Sequence, residues 1–270
     1  MDLLVTDLIS EVADRIRDSS RILVFTGAGI STPSGIPDFR GPQGVWKRRQ
    51  PVYFQDFQRS HASRTEYWEQ KLESYVAFRD AEPNAVHEAC VALEQEGKVV
   101  SVVTQNVDGL HTRAGTSRAC LVEIHGTNSE VECLACCNRY EPELYFRAFA
   151  DTNVPPKCGC GGYIKTATIS FGQNLREEDV GRAFAAAEEA DLVIALGSTM
   201  GVYPAASIPL SAASRGVPYI IVNQGETDHD GLECLTLRLE GDVAEIFPDA
   251  VSSALMHNQE SGVPPPLSRS

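Results

Sequence analysis

Nowhere in the 270 residues is there a run of about 18 uninterrupted apolar side chains, the length a membrane-crossing helix needs. Met1-Asp2 opens without the basic region and apolar core of an export signal, so the expected setting is cytoplasmic, with no membrane partner. Basic residues are few: 23 Lys and Arg stand against 37 Asp and Glu, a formal charge of −14. That balance repels a nucleic-acid backbone, and no nucleic-acid partner is expected. Lys47-Arg48-Arg49 is too short for a targeting signal and reads as a solvated face. No internal repeat is evident. What the chain does have is eight cysteines. Without an export signal they do not suggest a disulfide framework, and their clustering points to metal.

The rest of the chain is organised around Arg21 to Gly41. Ile22 to Thr26 reads as a short buried strand that runs directly into a glycine turn. Gly27 and Gly29 would permit positive φ and close backbone approach, and amides opening the next helix would face an anion, as in a phosphate cradle. The sixth position of that pattern is Thr32 rather than glycine, so a plain strand-to-helix turn stays open at this point. Pro33, Pro37 and Gly41 break helix continuation and put Asp38, Phe39 and Arg40 on a loop over the same strand end.

Apolar spacing predicts a helix over 3–18, with Leu4, Leu8, Ile9, Val12 and Ile16 inward. Trp68 to Arg79 and about 85–96 read as further helices. Val99 to Thr104 is a second buried strand, ending in Gln105-Asn-Val-Asp-Gly-Leu-His111. Polar residues there suit either an Asx-type turn or a ligand, since open α/β sheets bind outside the carboxyl ends of their strands. Leu121 to Gly126 delivers His125 at the end of an apolar run. From Thr166 the chain is expected to return to the sheet through Thr166 to Gly172. A helix over 176–190 follows, then strands at Leu192 to Leu196 and Tyr219 to Val222, with a helix between them. Gly197-Ser198-Thr199 and Asn223 stand at those strand ends. A strand near Leu235 to Leu239 and a helix from 243 complete the order, and 257–270 reads as a disordered tail.

Cys133-Leu-Ala-Cys136 and Cys158-Gly-Cys160 are two close pairs that match a four-thiolate zinc ribbon. Four protein thiolates leave no open position, so the zinc is expected to be structural. Cys137 is adjacent and a conceivable substitute ligand. Cys90, Cys120 and Cys234 are scattered and read as core or surface thiols.

These motifs, from Gly27-Ala-Gly-Ile-Ser and Gly35-Ile-Pro-Asp-Phe-Arg-Gly41 through Thr104 to His111, His125-Gly126, the cysteine pairs, Phe171-Gly172, Gly197 to Thr199 and Val222-Asn223, follow the order found in sirtuins. The chain resembles that family of NAD-dependent protein-lysine deacylases over about 10–250. The resemblance implies an α/β fold: a Rossmann-type doubly wound parallel sheet with a smaller zinc-ribbon plus helical lobe. Residues 1–45, 93–130 and 165–256 would form the large NAD-binding domain. Residues 46–92 would be a helical insertion and 131–164 the ribbon, with NAD between the lobes. Gly27, Ala28, Gly29, Thr32, Asp38, Phe39, Arg40, Trp46, Gln105, Ser198, Asn223 and Val243 would contact the dinucleotide, with Gly197 and Thr199 beside it. Asn106 and Asp108 would line the nicotinamide pocket, and His125, with Asn106, would be catalytic. In the family, an acyl-lysine carbonyl oxygen is driven against the anomeric carbon of the nicotinamide ribose. Nicotinamide leaves, and the histidine acts as general base on a ribose hydroxyl. Acylated-lysine peptides would be the partners, pairing with strands near Ser170 to Gln173 and Gly201 to Tyr203. A monomer or weak oligomer is expected.

The pattern departs from the family at Gln173, where many members carry glutamate, and at Thr166, Thr168 and Ser170. Positions matching the Tyr-x-x-Arg pair of succinyl-removing members are Lys71 and Ser74, so a neutral acyl group is expected rather than an acidic one. Two other functions share the motifs: mono-ADP-ribosyl transfer or NAD hydrolysis, and non-catalytic NAD sensing.

Overall fold

The computed structural model describes residues 3–37 and 50–260. The first helix, α1 (Leu3–Asp18), leads into β1 (Ile22–Thr26), and after two 3-10 turns come α2 (Phe54–Arg59), α3 (His61–Asp80) and α4 (Ala85–Gln95). Next are β2 (Val99–Thr104), α5 (Leu110–Ala114), β3 (Leu121–Glu123), β4 (Gly126–Cys133), β5 (Arg139–Tyr140), α6 (Glu143–Thr152) and β6 (Ile164–Thr168). The chain ends through α7 (Glu177–Glu189), β7 (Leu192–Leu196), α8 (Ser207–Ala213), β8 (Tyr219–Asn223), β9 (Leu237–Glu240) and α9 (Val243–Glu260).

Six strands form one sheet in the order β3-β2-β1-β7-β8-β9, and every neighbouring pair is parallel. Parallel strands are covered on both faces, which is why they read as apolar runs instead of alternating ones. Side chains of β1 divide accordingly. Ile22 and Val24 join the layer of α1, α4 and α9, where Val12, Ile16, Leu93 and Phe247 are buried. Leu23 and Phe25 face the layer of α7 and α8, with Ala183, Ala187 and Ile208. The sheet is therefore doubly wound, as the sequence implied. From β1 the chain goes to β2 on one side and later to β7 on the other, so the crevice at their carboxyl ends is a topological switch point.

A second sheet, β5-β4-β6, is antiparallel and carries the cysteine knuckles. Its core is aromatic: Trp68 of α3 packs edge-on against Phe146 of α6 at 5.2 Å and donates from Nε1 to the Ile164 carbonyl at 3.2 Å. Tyr75 stacks on Phe146 at 3.9 Å.

Three expectations are corrected. The segment after Thr166 does not return to the large sheet: β6 pairs with β4, Val131 opposite Thr166 and Cys133 opposite Ile164. Its run of β-branched residues reads as a buried strand in either sheet, because a strand's own residues do not name its partner. The glycine turn opens 3-10 turns, Ala28–Ile30 and Thr32–Ser34, not an α-helix, because Pro33 and Gly35 interrupt the ladder. The presumed tail from 257 starts inside a helix, since α9 runs to Glu260.

Candidate active site

Four strand ends converge at the switch point. Beyond β1, the Gly27 amide donates to the Leu196 carbonyl at 2.9 Å and the Gly29 amide to the Gly197 carbonyl at 2.8 Å. The glycines are required by this close approach and not by positive φ, since Gly27 is extended at φ −132°. A Cβ on Gly27 would sit 2.7 Å from the Gly197 carbonyl oxygen, and one on Gly29 2.7 Å from Gly197 Cα. Gly197 itself takes φ +60°, so the two loops interlock through backbone alone. Thr32 closes its own turn, donating from Oγ1 to the Gly29 carbonyl at 3.0 Å.

Beyond β2, Asn106 is buried and donates from Nδ2 to the Gly27 carbonyl and to Ser31 Oγ, both at 3.1 Å. Ser31 in turn donates to Asp108 at 2.8 Å, and Asp108 accepts from the Leu110 amide at 2.9 Å. Burial pushes the Asp108 carboxyl up from its usual range, with these donors working against the shift. Gln105 reaches sideways, its Nε2 donating to Ser198 Oγ at 2.8 Å. Asn223, at the end of β8, donates to the Gln224 and Gly225 carbonyls. Val243 is buried at the start of α9, and the Thr199 carbonyl accepts from the Asp228 amide. Ala28 lies half-buried in the first turn.

His125 follows β3, half-buried, with Nδ1 3.0 Å from the Gln105 carbonyl. A carbonyl only accepts, so Nδ1 carries the proton and Nε2 is the unprotonated, basic nitrogen of the neutral ring. The next residue holds this placement. Gly126 takes φ +73°, and a Cβ there would lie 2.1 Å from the Ala167 carbonyl oxygen. The His125 carbonyl accepts from the Ile169 amide at 2.7 Å, which ties the histidine to the strand leading to Ser170. Asp38, Phe39, Arg40 and Trp46 lie outside the described residues.

At the ribbon, Cys133 Sγ is 3.5 Å from Cys160 Sγ and Cys136 Sγ 3.8 Å from Cys158 Sγ, and the four ligand atoms all lie within 4.8 Å of one another. Tetrahedral zinc with bonds of about 2.3 Å sets thiolates about 3.8 Å apart, so the set fits. The Ala135 amide points at Cys133 Sγ at 3.4 Å, and the Cys160 amide draws the Cys158 thiol down to about 6. Cys137 stands outside the cluster, in a left-handed turn at φ 59°. Cys90 and Cys120 are buried and Cys234 half-buried, as scattered thiols.

The Sir2 family profile matches residues 27–204. This chain belongs to the Sir2 family. Its sirtuin relatives include an NAD-dependent protein deacetylase 1 of Bradyrhizobium diazoefficiens, 38% identical over 241 residues that make up 88% of this chain and 95% of that one. Among solved structures, a Sir2 complex with p53 peptide and NAD+ superposes with a TM-score of 0.81 at 34% identity, covering 92% of this chain and 99% of that one. A Sir2 variant with deacetylated p53 peptide and 3'-O-acetyl ADP ribose gives 0.82 at 36% identity, covering 90% and 97%.

Within this sirtuin, sequence reasoning passed over Ser31, the hydroxyl that links Asn106 to Asp108. A serine four residues past the first glycine of the turn was the available signal. It also passed over a half-buried carboxyl and a buried lysine. Glu123 ends β3, and burial, reinforced by the charge of Asp108, pushes its carboxyl up to about 7 against the Thr127 hydroxyl. Lys165 lies under the cleft strand, 1% exposed, and burial pushes it down to about 7, helped by Lys71. Its Nζ donates to the Thr166 and Thr168 carbonyls and to Gln173 Oε1, while Gln173 Oε1 also accepts from the Ser170 amide at 3.1 Å. The Gln173 side chain is thus tied to Lys165 and to the Ser170 backbone.

Proposed function

We propose that this sirtuin removes acetyl and other neutral acyl groups from protein lysines with NAD as co-substrate, releasing nicotinamide, acyl-ADP-ribose and free lysine. The observation that carries this is the His125 ring, anchored through Nδ1 to the Gln105 carbonyl beside the Ser31, Asn106 and Asp108 network, in a Sir2 chain. NAD supplies an anomeric carbon bearing a good leaving group. Gly27, Ala28, Gly29 and Thr32 would line its pyrophosphate. Gln105, Gly197, Ser198, Thr199, Asn223 and Val243 would hold the rest of the dinucleotide, as would Asp38, Phe39, Arg40 and Trp46. Asn106 and Asp108 would form the nicotinamide wall.

His125 would accept a ribose hydroxyl proton at Nε2, the nitrogen across the ring from its backbone contact. Substrate peptide would lie between the strand of Ser170 to Gln173 and that of Gly201 to Tyr203. Cys133, Cys136, Cys158 and Cys160 would hold one structural zinc. The large domain would comprise the six-stranded sheet with its helices, and the small lobe α2, α3 and the ribbon. Because α4 contributes Val86, Cys90 and Leu93 to the large core, the inserted helices would end with α3. A thiolate-held metal fits a reducing, cytoplasmic setting.

His125→Ala is the test. Deacetylation of an acetyl-lysine peptide should fall by about 100-fold or more while zinc content stays at one per chain. Unchanged turnover would overturn the assignment of His125 as the base.

A further inference from the structure

Lys165 joins the small sheet to the segment 170–173. Its backbone lies in β6, opposite Glu132 of β4, and its side chain is buried. An ammonium has three N–H donors, and Nζ meets three acceptors: the Thr166 carbonyl at 3.2 Å, the Thr168 carbonyl, and Gln173 Oε1 at 3.4 Å. Gln173 in turn closes on Ser170 twice. Its Oε1 accepts from the Ser170 amide at 3.1 Å, and its own amide donates to the Ser170 carbonyl at 2.9 Å. The turn from Ser170 to Gln173 therefore hangs on the ammonium, while Ile169 beside it is fastened to the His125 carbonyl.

None of the three acceptors is charged. Among the groups that face Nζ from neighbouring elements, Lys71 of α3 repels it and Glu132 of β4 attracts it, but Glu132 is already shared by Arg139 and Arg176. Tyr67 of α3 sets its ring 5.8 Å from Nζ, and burial pushes its phenol up to about 12, so it stays neutral. A buried cation held by neutral oxygens is costly to keep, and burial, with Lys71 adding to it, draws Lys165 down to about 7. A neutral amine offers two donors and a lone pair, so loss of the proton turns that lone pair on one of the three oxygens.

We propose that Lys165 is a positioning residue for substrate: its ammonium, acting through Gln173, holds 170–173 in the shape that pairs with an acyl-lysine peptide, and peptide affinity falls when the proton is lost. This rests on the reading that the peptide lies along 170–173, and adds to it a pH-dependent hold on that segment. The neutral amine predominates at high pH, so binding is tight in mild acid and weak in mild base. Gln173→Glu would set a carboxylate beside the ammonium and keep its proton to higher pH.

The test is the dissociation constant of a rhodamine-labelled, histidine-free acetyl-lysine peptide, read by anisotropy on the full chain between about pH 6 and 9. Saturating ADP-ribose fills the dinucleotide site without reacting, and steady-state kinetics with NAD run in parallel. In the unaltered protein Kd should rise about tenfold across that range, with a midpoint near 7. Lys165→Met should bind about tenfold more weakly in mild acid and lose the pH dependence, with peptide KM raised and kcat changed less than about threefold. Gln173→Glu should move the midpoint up by about one pH unit or more, a shift that a merely structural lysine would not produce. Zinc content checks that each variant is folded, and the Gln173→Glu curve decides if Lys165→Met does not fold. A flat curve for the unaltered protein, a midpoint that Gln173→Glu leaves in place, or one that survives in Lys165→Met overturns the proposal, and the deacylase reading stands if acetyl peptide is consumed. Should the peptide bind without being consumed, that reading fails and the binding curves still decide Lys165. Should no peptide bind at any pH, the positioning role fails as well.

Discussion

The two sheets are stabilised by different means. The large one is a continuous aliphatic sandwich, with all five residues of β1, β7 and β8 buried between helices close to them in sequence. The small one is gathered from distant pieces: α3 from 61–80 and the ribbon strands and α6 from 126–168. Its core is aromatic and modest, and four thiols lie at its edge. Apolar burial sustains the first, whereas the second is built beside a four-thiol set that could hold a metal, the kind of support that small modules with little core generally need. The proposed catalysis draws on both, because His125 stands where β3 of the large sheet passes into β4 of the small one.

Zinc removal should break this comparison most visibly. Structural zinc contributes about 10–16 kcal/mol in isolated fingers, so a strong chelator or Cys133→Ser should unfold the ribbon and leave the large sheet folded. Hydrogen exchange is the readout: protection lost over 126–168 and kept over 192–223. Equal loss in both sheets would show that the large layer does not stand alone.

Acid should act on the large layer instead. His87 and His111 are buried with rings 4.9 Å apart. Among the described residues, His87 Nε2 and His111 Nδ1 have no hydrogen-bond partner. Burial, aided by Arg113, pushes His87 down to about 4, and burial, aided by His87, pushes His111 down to about 3. Below about pH 6.5 the unfolded chain binds protons that these folded rings refuse, so stability falls as pH drops from 6.5 toward 4, by about 1.4 kcal/mol per unit for each ring. Glu123 opposes one of them. Its folded carboxyl titrates near 7, so its contribution is full below about pH 4.5 and is lost as pH rises. The net loss between pH 6.5 and 5 is on the order of 2 kcal/mol, measurable by urea unfolding. A His87→Gln, His111→Gln double variant should lose the decline, and an unchanged slope would count against the pair.

The smallest effect on stability is expected where the loops interlock. Gly27→Ala places a methyl 2.7 Å from the Gly197 carbonyl oxygen, an overpacking cost of about 1–3 kcal/mol. NAD-dependent turnover should suffer more than Tm. A variant with normal turnover would mean that the cradle has slack.

The same contrast explains how much was legible in the sequence. Parallel strands such as Leu192 to Leu196 announce themselves because both faces are buried, and the cysteine pairs because knuckle geometry fixes their spacing. The partner of a strand is not written in its own residues, so β6 was placed in the wrong sheet. Gly27 and Gly29 were read for a positive φ they do not adopt as well as for close backbone approach, since the backbone that crowds them, at Gly197, lies about 170 residues away. Ser31 and Glu123 gain their character only from what the fold sets beside them.

The most direct measurement is mass spectrometry of an acetyl-lysine peptide incubated with purified protein, with and without NAD. The account predicts NAD-dependent loss of one acetyl group per nicotinamide released, matched by one acetyl-ADP-ribose. NAD cleaved with the peptide intact, or ADP-ribose mass gained by a protein, would contradict it.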